Sequence, residues 1–244
     1  DVSVNPLISE MTFEIASFNE DLTEFASKWN ASAKKLVLVG VNPPNQIEQK
    51  FIDQLANDSS VVVMTETTSN VHHPNFVNNI DTIITPFTEE DYKEFQPDIL
   101  VTFGGMVVSK RIKAFLRKYR PKSHWHIDTL RAYDTFNALT KHFEVNPNEF
   151  FEKFLPKING IESDYNQKMQ ELKAFRKEKH DLYLSKIPFS DFKVFEKIMP
   201  RLPKNSQLQI SNSSAIRYAQ LVDIDPSISV FCNRGTSGID GSTS

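Results

Sequence analysis

The feature that most constrains this chain is an alternation of short apolar runs with helical patterns between residues 36 and 127. The runs LVLVG, VVVM, ILVTF and WHI are rich in β-branched or aromatic side chains and are bounded by turn residues, which is typical of strands buried on both faces. Apolar side chains recur at helical spacing between these runs: Ile47, Phe51, Ile52 and Leu55, and later Ile112, Phe115, Leu116 and Tyr119. Strands that alternate with helices of this length form βαβ units, so the sequence predicts an α/β fold with a Rossmann-like parallel sheet.

The pattern changes in the second half of the chain. Residues 148–184 read as helix without strand, and Ser190 is placed to cap a further helix. Short strands are then predicted at 206–211 and 227–231, with a helix at 214–222 between them. We therefore expect three parts: residues 1–15 as a linker from a missing N-terminal domain, 16–187 as the central Rossmann-like domain with a helical tail, and 188–244 as the truncated start of a second α/β domain.

Composition excludes several classes of protein. The chain has 28 basic and 31 acidic residues, a net charge of -3 that provides no field for general nucleic-acid binding. No apolar run approaches the roughly 18 to 20 residues of a membrane helix, and the opening residues lack the pattern of a signal peptide. We expect a cytoplasmic protein without membrane contact. The single cysteine, Cys232, excludes an intramolecular disulfide and a cysteine-based metal cluster.

The first candidate site is the stretch GGMVVSKR, which ends at Lys110 and Arg111. It follows a predicted buried strand and leads into a helix, so it lies at the carboxyl edge of the sheet, where open α/β folds bind ligands. Positive charge in the first turn of a helix opposes the macrodipole by a few tenths of a kcal/mol to about 1 kcal/mol. That cost indicates an anionic ligand. The alternative is a solvated basic helix, since seven of the thirteen residues 110–122 are Lys or Arg.

Two further stretches follow predicted strands. In NSSAIR, Ser213 and Arg217 are four residues apart, so a hydroxyl, free backbone N–H groups and a guanidinium could converge on a carboxylate or phosphate. The alternative is an ordinary helix cap with a surface arginine. In NRGTSGIDG, Arg234 precedes three glycines within seven residues, which permits close backbone approach to a ligand. This stretch lacks the GxGxxG spacing of a dinucleotide site, and its alternative is a turn.

Other polar residues are predicted to have structural roles. His72 and His73 are adjacent and have no third metal ligand nearby, so we expect a loop or cap there. His124 and His126 lie on one face of a predicted strand, where packing is expected. Asp128 ends that strand, but the absence of a glycine fingerprint argues against its binding a ribose.

Taken in order, the motifs ETTSNVHHP, GGMVVSKR, NSSAIR and NRGTSGIDG resemble the MenD family, the thiamine-diphosphate-dependent synthases of menaquinone biosynthesis. The resemblance implies three α/β domains, of which this chain holds the central one and the start of the cofactor-binding one. It implies decarboxylation of 2-oxoglutarate on thiamine diphosphate and addition of the succinyl-semialdehyde carbanion to isochorismate. It also implies magnesium or manganese as the metal, and a homodimer or tetramer for the full-length protein.

The resemblance assigns roles to individual residues. Those implied to bind substrate are Lys110, Arg111, Ser213, Arg217 and Arg234. Those implied to bind the cofactor are Ser214, Thr236, Ser237, Gly238 and Ile239.

The family's activating glutamate and its magnesium- and diphosphate-binding motif are expected outside this chain. We therefore expect no catalytic residue and no metal ligand here, and an isolated chain that is inactive and binds thiamine diphosphate weakly or not at all. The alternative is a non-catalytic α/β module that binds a nucleotide or an anionic regulator through residues 104–122.

Overall fold

The computed structural model describes residues 18–233. Its main feature is a five-stranded parallel sheet, formed by β1 (Lys35–Val39), β2 (Val61–Thr65), β3 (Ile99–Phe103), β4 (Ser123–Ile127) and β5 (Leu139–Phe143). The strand order is β2-β1-β3-β4-β5. This arrangement confirms the predicted α/β fold with a Rossmann-like sheet.

Helices cover both faces of the sheet. They are α1 (Thr23–Asn30), α2 (Gln49–Ala56), α3 (Ile80–Ile84), α4 (Glu89–Glu94), α5 (Lys110–Lys118), α6 (Pro147–Phe154) and α7 (Tyr165–Lys186). One apolar cluster joins α1, α2 and α6 to the side chains on one face, including Val37 and Val101. A second joins α3, α5 and α7 to the opposite face, including Leu36 and Leu100. Because alternate residues of one strand enter different clusters, the central strands are buried on both sides, as their apolar runs predict.

Strand β5 was not predicted from the sequence, which reads LTKHF there. It is an edge strand, and of its residues only Phe143 is buried. The other edge strand, β2, is fully buried and forms a bridge to Val77, whereas β5 leaves most of its side chains partly exposed and so tolerates polar residues. The predicted helical stretch 148–184 is also not continuous: α6 ends at Phe154, and α7 begins only at Tyr165.

The C-terminal segment, defined as residues 188–233, contains α8 (Asp191–Ile198), β6 (Gln207–Ile210), α9 (Ser214–Ala219) and β7 (Ser229–Cys232). Strands β6 and β7 pair in parallel. The predicted cap is confirmed, because the Ser190 hydroxyl accepts a hydrogen bond from the Lys193 amide at 3.4 Å. Pro200 lies in a 3-10 turn just after the end of α8. The domain boundary between residues 187 and 188 stays a prediction.

No helix within residues 18–233 has both the length and the apolar character needed to span a bilayer. The longest, α7, has 22 residues but buries only Tyr165 and Met169. It packs against α3 and β2 through this narrow face. Near its C-terminal half, Lys177 forms an ion pair with Asp223 of the C-terminal segment. The helix therefore connects the sheet to the C-terminal segment, as its narrow apolar stripe predicts.

The buried imidazole of His124 makes the fold sensitive to acid. Burial, together with the charge of the neighbouring His126 when it is protonated, lowers the pKa of His124 from 6.5 to about 4. Between pH 6.5 and about 4 the unfolded chain therefore binds more protons than the folded one, so stability falls as the pH falls. We expect the free energy of unfolding to fall by about 2 kcal/mol from pH 7 to pH 5 through this residue alone.

The measurement is urea denaturation at the two pH values, in the parent chain and in His124→Phe. The variant keeps a ring beside Phe136, whose centroid lies 5.4 Å away, and removes the titrating group. His126 still titrates in both chains, so the difference in pH dependence reports on His124. An unchanged dependence in the variant would contradict the prediction.

Candidate functional site

The GGMVVSKR stretch begins at the carboxyl end of β3, beside β1. Strands β2 and β4 lie on opposite sides of this pair, so the winding of the sheet reverses here, and ligands of open α/β folds bind at such points. In this chain the backbone itself fills the crevice: the Gly105 amide donates to the Val41 carbonyl at 2.7 Å, and a Cβ on Gly40 would lie 2.0 Å from the Gly105 oxygen. Gly104 has φ +78°, a left-handed conformation that suits glycine. The candidate groups therefore lie further along the loop.

A buried carboxylate fixes the end of this loop. Glu66, which follows β2 and is 4% exposed, accepts hydrogen bonds from the backbone amides of Val108 and Ser109, both at 2.6 Å. Ser109 caps α5, because its hydroxyl accepts from the Ile112 amide at 3.1 Å, and the same hydroxyl donates to Asp81. Burial raises the pKa of Glu66, while the two amide donors act in the opposite direction.

These contacts determine the electrostatics at the start of α5. The sequence predicts an anionic ligand there, because two basic residues lie in the first turn of the helix. The structure shows that Glu66 already places a carboxyl group at this helix end, with Asp81 bonded to the cap. Negative charge at a helix N-terminus offsets the dipole and the neighbouring cations. The fold therefore tolerates Lys110 and Arg111 without a ligand. Whether they can bind an anion depends instead on whether their side chains are exposed and free of partners.

Lys110 and Arg111 differ from the other basic residues of the stretch 110–122. Both are exposed, and neither has a hydrogen bond or an ion pair to any residue between 18 and 233. The remaining five basic side chains contact carbonyl or carboxylate oxygens: Lys113, Arg117, Lys118, Arg120 and Lys122. The basic side chains of this stretch are therefore not all free in solvent. Within the described chain, the two adjacent cations at the start of α5 are available to bind an anion.

The second group of candidates lies at the carboxyl edge of the two-stranded sheet. Ser213, Ser214 and Arg217 follow β6 and are exposed, and within the described chain none of their side chains has a hydrogen-bond or ionic partner. Ser213 has φ 69° and ψ -125°, a conformation that costs a residue other than glycine about 1–3 kcal/mol. Such strain is concentrated at ligand sites. After β7, the Asn233 amide donates to the Ile210 carbonyl at 3.2 Å, so both strands end at this edge.

One apolar cluster brings the two groups together. Val108, two residues before Lys110, is 5% exposed and packs with residues of the C-terminal segment. Its cluster includes Ile210, three residues before Ser213, and Ile216, adjacent to Arg217. The start of α5 and the start of α9 therefore flank the same packed core.

Five of the predicted site residues lie outside residues 18–233: Arg234, Thr236, Ser237, Gly238 and Ile239. Of the predicted cofactor contacts, only Ser214 is described, as an exposed residue at the start of α9. Among the described residues no group of three His, Cys, Asp or Glu side chains could hold a metal ion. This part of the chain thus supplies one predicted contact to thiamine diphosphate and no complete binding site for it.

The remaining polar residues have structural roles, as predicted. His73 accepts from the Asn75 amide at 3.1 Å within a loop. The rings of His124 and His126 both bond the Thr102 hydroxyl at 2.8 Å. Asp128 accepts hydrogen bonds from the amides of residues 130 and 131 in its own turn.

A cavity of about 720 Å³ lies between α7, the loop 71–79 and residues 221–226. Both lysines that line it are already bonded: Lys173 donates to the carbonyls of Pro74 and Phe76, and Lys177 pairs with acidic side chains. Among the described residues, no lysine that lines this cavity is unpaired, so none is available to bind an anionic regulator.

The parallel sheet and its switch-point loop are those of a Rossmann-like α/β domain, a fold that many classes of protein share. The family described as "Middle domain of thiamine pyrophosphate" matches residues 7–210, and the chain belongs to this family.

Curated relatives narrow the comparison. The chain is 64% identical over 243 residues to the 2-succinyl-5-enolpyruvyl-6-hydroxy-3-cyclohexene-1-carboxylate synthase of Flavobacterium psychrophilum, and 61% identical over 246 residues to that of Flavobacterium johnsoniae. It is 48% identical over 249 residues to that of Christiangramia forsetii. These alignments cover 100% of this chain and 43 to 44% of each relative, so the chain spans less than half the length of these proteins. The resemblance to the MenD family is confirmed.

Proposed function

We propose that this chain is part of a longer protein, here called the full-length protein, that makes 2-succinyl-5-enolpyruvyl-6-hydroxy-3-cyclohexene-1-carboxylate. In this reaction 2-oxoglutarate loses carbon dioxide, and the remaining four-carbon unit is added to isochorismate. The proposal rests on 61 to 64% identity, over the whole chain, with two synthases of this name. It extends to a cytoplasmic homodimer or tetramer that uses magnesium or manganese.

The role we propose for this chain is to bind substrate carboxylates. Each of the two substrates carries two carboxylates, so their binding site requires several positive charges. The observation that carries this role is a set of three exposed cations that flank one packed core and have no hydrogen-bond or ionic partner among residues 18–233: Lys110, Arg111 and Arg217. Arginine suits this task because its planar fork can donate two parallel hydrogen bonds to a carboxylate. We assign Ser213 and Arg234 to the same group.

Thiamine diphosphate, when bound, acts as the electron sink for the decarboxylation and the carbon–carbon bond formation. Within the described residues, Ser214 is the one we assign to its binding. The stretch from Thr236 to Ile239 is assigned to the cofactor by resemblance. The contribution of the present chain is then to orient the carboxylates of the two substrates, so that the reacting carbons meet in a productive geometry.

The test is an assay of the full-length protein with thiamine diphosphate, Mg²⁺, isochorismate and 2-oxoglutarate. We expect one carbon dioxide released for each isochorismate consumed, and a product with the mass of isochorismate plus the four-carbon unit. Omission of either substrate should abolish product formation. If carbon dioxide is released from 2-oxoglutarate at the same rate with and without isochorismate, and no isochorismate is consumed, the protein is a simple decarboxylase and the proposal is refuted.

A further inference from the structure

The segment 128–138, here called the crossover, connects β4 to β5. Because these two strands are parallel neighbours, the crossover must return from the carboxyl edge of the sheet to its amino edge. Helix α5 makes the same return between β3 and β4. Phe136 of the crossover and Phe115 of α5 belong to one apolar cluster, so both segments cover the same face of the sheet.

A hydrogen bond shows how α5 and the crossover face each other. The Arg117 guanidinium donates to the Thr135 carbonyl at 2.7 Å, so the side of α5 that carries Arg117 is directed at the crossover. Lys110 lies seven residues earlier, which is close to two helical turns, so it shares this side and lies about 10 Å nearer the carboxyl edge. Arg131 lies four residues before Thr135, in the same direction along the crossover. Lys110 and Arg131 therefore flank the same end of the gap between the two segments.

The backbone of Arg131 is fixed, whereas its charge has no partner within residues 18–233. Its amide donates to Asp128 Oδ1 at 3.1 Å. Burial lowers the pKa of His126, and a hydrogen bond between the ring and the Arg131 backbone acts in the opposite direction. The exposed guanidinium forms no hydrogen bond or ion pair with any described residue, and its carbon lies 5.0 Å from the centroid of the Tyr133 ring.

The surroundings of Arg131 suit an organic carboxylate. The Tyr133 ring packs on one face of the planar guanidinium, which leaves the N–H donors along its edge available. A side chain that is already held against a ring loses less conformational freedom when it binds a ligand. Leu130 and Tyr133 are 84% and 64% exposed, so two large apolar side chains lie beside the cation. Exposed apolar groups next to an arginine are typical of sites that contact a carbon skeleton as well as a charge.

We propose that Arg131 is a further substrate-binding residue, which binds a substrate carboxylate together with Lys110 between α5 and the crossover. This inference rests on the proposed function and extends it. The two substrates carry four carboxylates in all, whereas three cations of the described chain are assigned to them above. Arg131 supplies a fourth positive charge at the same edge of the sheet as Lys110.

The experiment is a double-mutant cycle of Arg131→Ala and Lys110→Ala in the full-length protein, with each substrate varied in turn. We expect Arg131→Ala to lower kcat/KM by about 10- to 150-fold through a higher KM, with the unfolding temperature unchanged. The substrate whose KM rises is the one whose carboxylate binds here. In a Lys110→Ala background the factor should be at least about 3-fold smaller, because the two cations bind one group.

Two further variants test the chemistry of the side chain, and a third is the control. Arg131→Lys should recover only part of the loss, since lysine lacks the planar fork. Tyr133→Ala should lower kcat/KM by about 2- to 5-fold, the contribution of an exposed cation–π contact. Arg120→Ala is the matched control: Arg120 is also exposed, but it follows α5 at the amino edge of the sheet, and its Nε donates to the Arg117 carbonyl at 3.3 Å. This control should stay within about twofold of wild type.

Equal factors for Arg131→Ala in the two backgrounds would mean that Arg131 and Lys110 do not share a carboxylate. Values for Arg131→Ala within about twofold of wild type would remove Arg131 from the site. Either result overturns this inference and leaves the proposed function intact. If the wild-type protein itself forms no product from isochorismate and 2-oxoglutarate, the proposed function fails, and this inference fails with it.

Discussion

Replacing Arg217 with alanine in the full-length protein is expected to lower kcat/KM by about 10- to 150-fold. A hydrogen bond to a charged group contributes about 1.5–3 kcal/mol, and each 1.4 kcal/mol corresponds to about a tenfold change. Arg217 is exposed in the last turn of the short helix α9 and makes no hydrogen bond or ion pair within residues 18–233, so its removal should not destabilise the fold. The measurement is steady-state kinetics with isochorismate and 2-oxoglutarate varied in turn.

Arg217→Lys should restore only part of the activity, because lysine keeps the charge but lacks the planar fork. Arg117→Ala is the control: Arg117 is also exposed, but its guanidinium donates to the Thr135 carbonyl at 2.7 Å on the surface of the central layer. We expect this control to stay within about twofold of wild type. Equal losses in Arg217→Ala and Arg117→Ala would argue against a specific role for Arg217.

The largest effect on stability is expected from Trp125→Ala, at about 3–5 kcal/mol. Trp125 lies in β4 and is 1% exposed. Its ring is surrounded by other aromatic rings at centroid distances of 5.3 to 6.4 Å: Phe25, Trp29, Phe143 and Phe154. These residues come from α1, α6 and the neighbouring strand β5, so the truncation would leave a cavity where the two helices pack on the sheet. Urea denaturation of this chain gives the free energy of unfolding.

Phe189→Ala is the control for this substitution. Phe189 is also aromatic but is 88% exposed, so its removal should change the free energy of unfolding by no more than about 0.5 kcal/mol. A loss below about 1 kcal/mol in Trp125→Ala would mean that the aromatic cluster does not form as described.

The sequence predicts β1, β2 and β3 because these strands are buried throughout and read as apolar runs, and it predicts β4 from the run that contains the buried Trp125 and Ile127. The exception, β5, has only Phe143 buried and carries Thr140, Lys141 and His142, so no apolar run marks it. A run of apolar residues reveals a strand that is buried. A strand with mostly polar side chains can be located only from the strand that it pairs with.

The candidate site shows a similar division. The positions of Lys110, Arg111 and Arg217 at the carboxyl ends of strands follow from the order of strands and loops. The role of Glu66 is not predicted from the sequence, although Glu66 belongs to the ETTSN motif, because the two amides that it binds are 42 and 43 residues away in sequence. A contact between a side chain and a distant part of the backbone produces no local sequence pattern. For the same reason, the sequence does not show that a carboxyl group already lies at the start of α5.

The central claim is that Lys110, Arg111 and Arg217, which have no ionic partner in the described part of the chain, bind the carboxylates of the two substrates. Its most direct test is the kcat/KM of the full-length protein carrying Lys110→Ala, Arg111→Ala and Arg217→Ala together, with each substrate varied in turn. The account predicts a loss of at least about 100-fold for one or both substrates, with the unfolding temperature unchanged. Values within about twofold of wild type for both isochorismate and 2-oxoglutarate would contradict it.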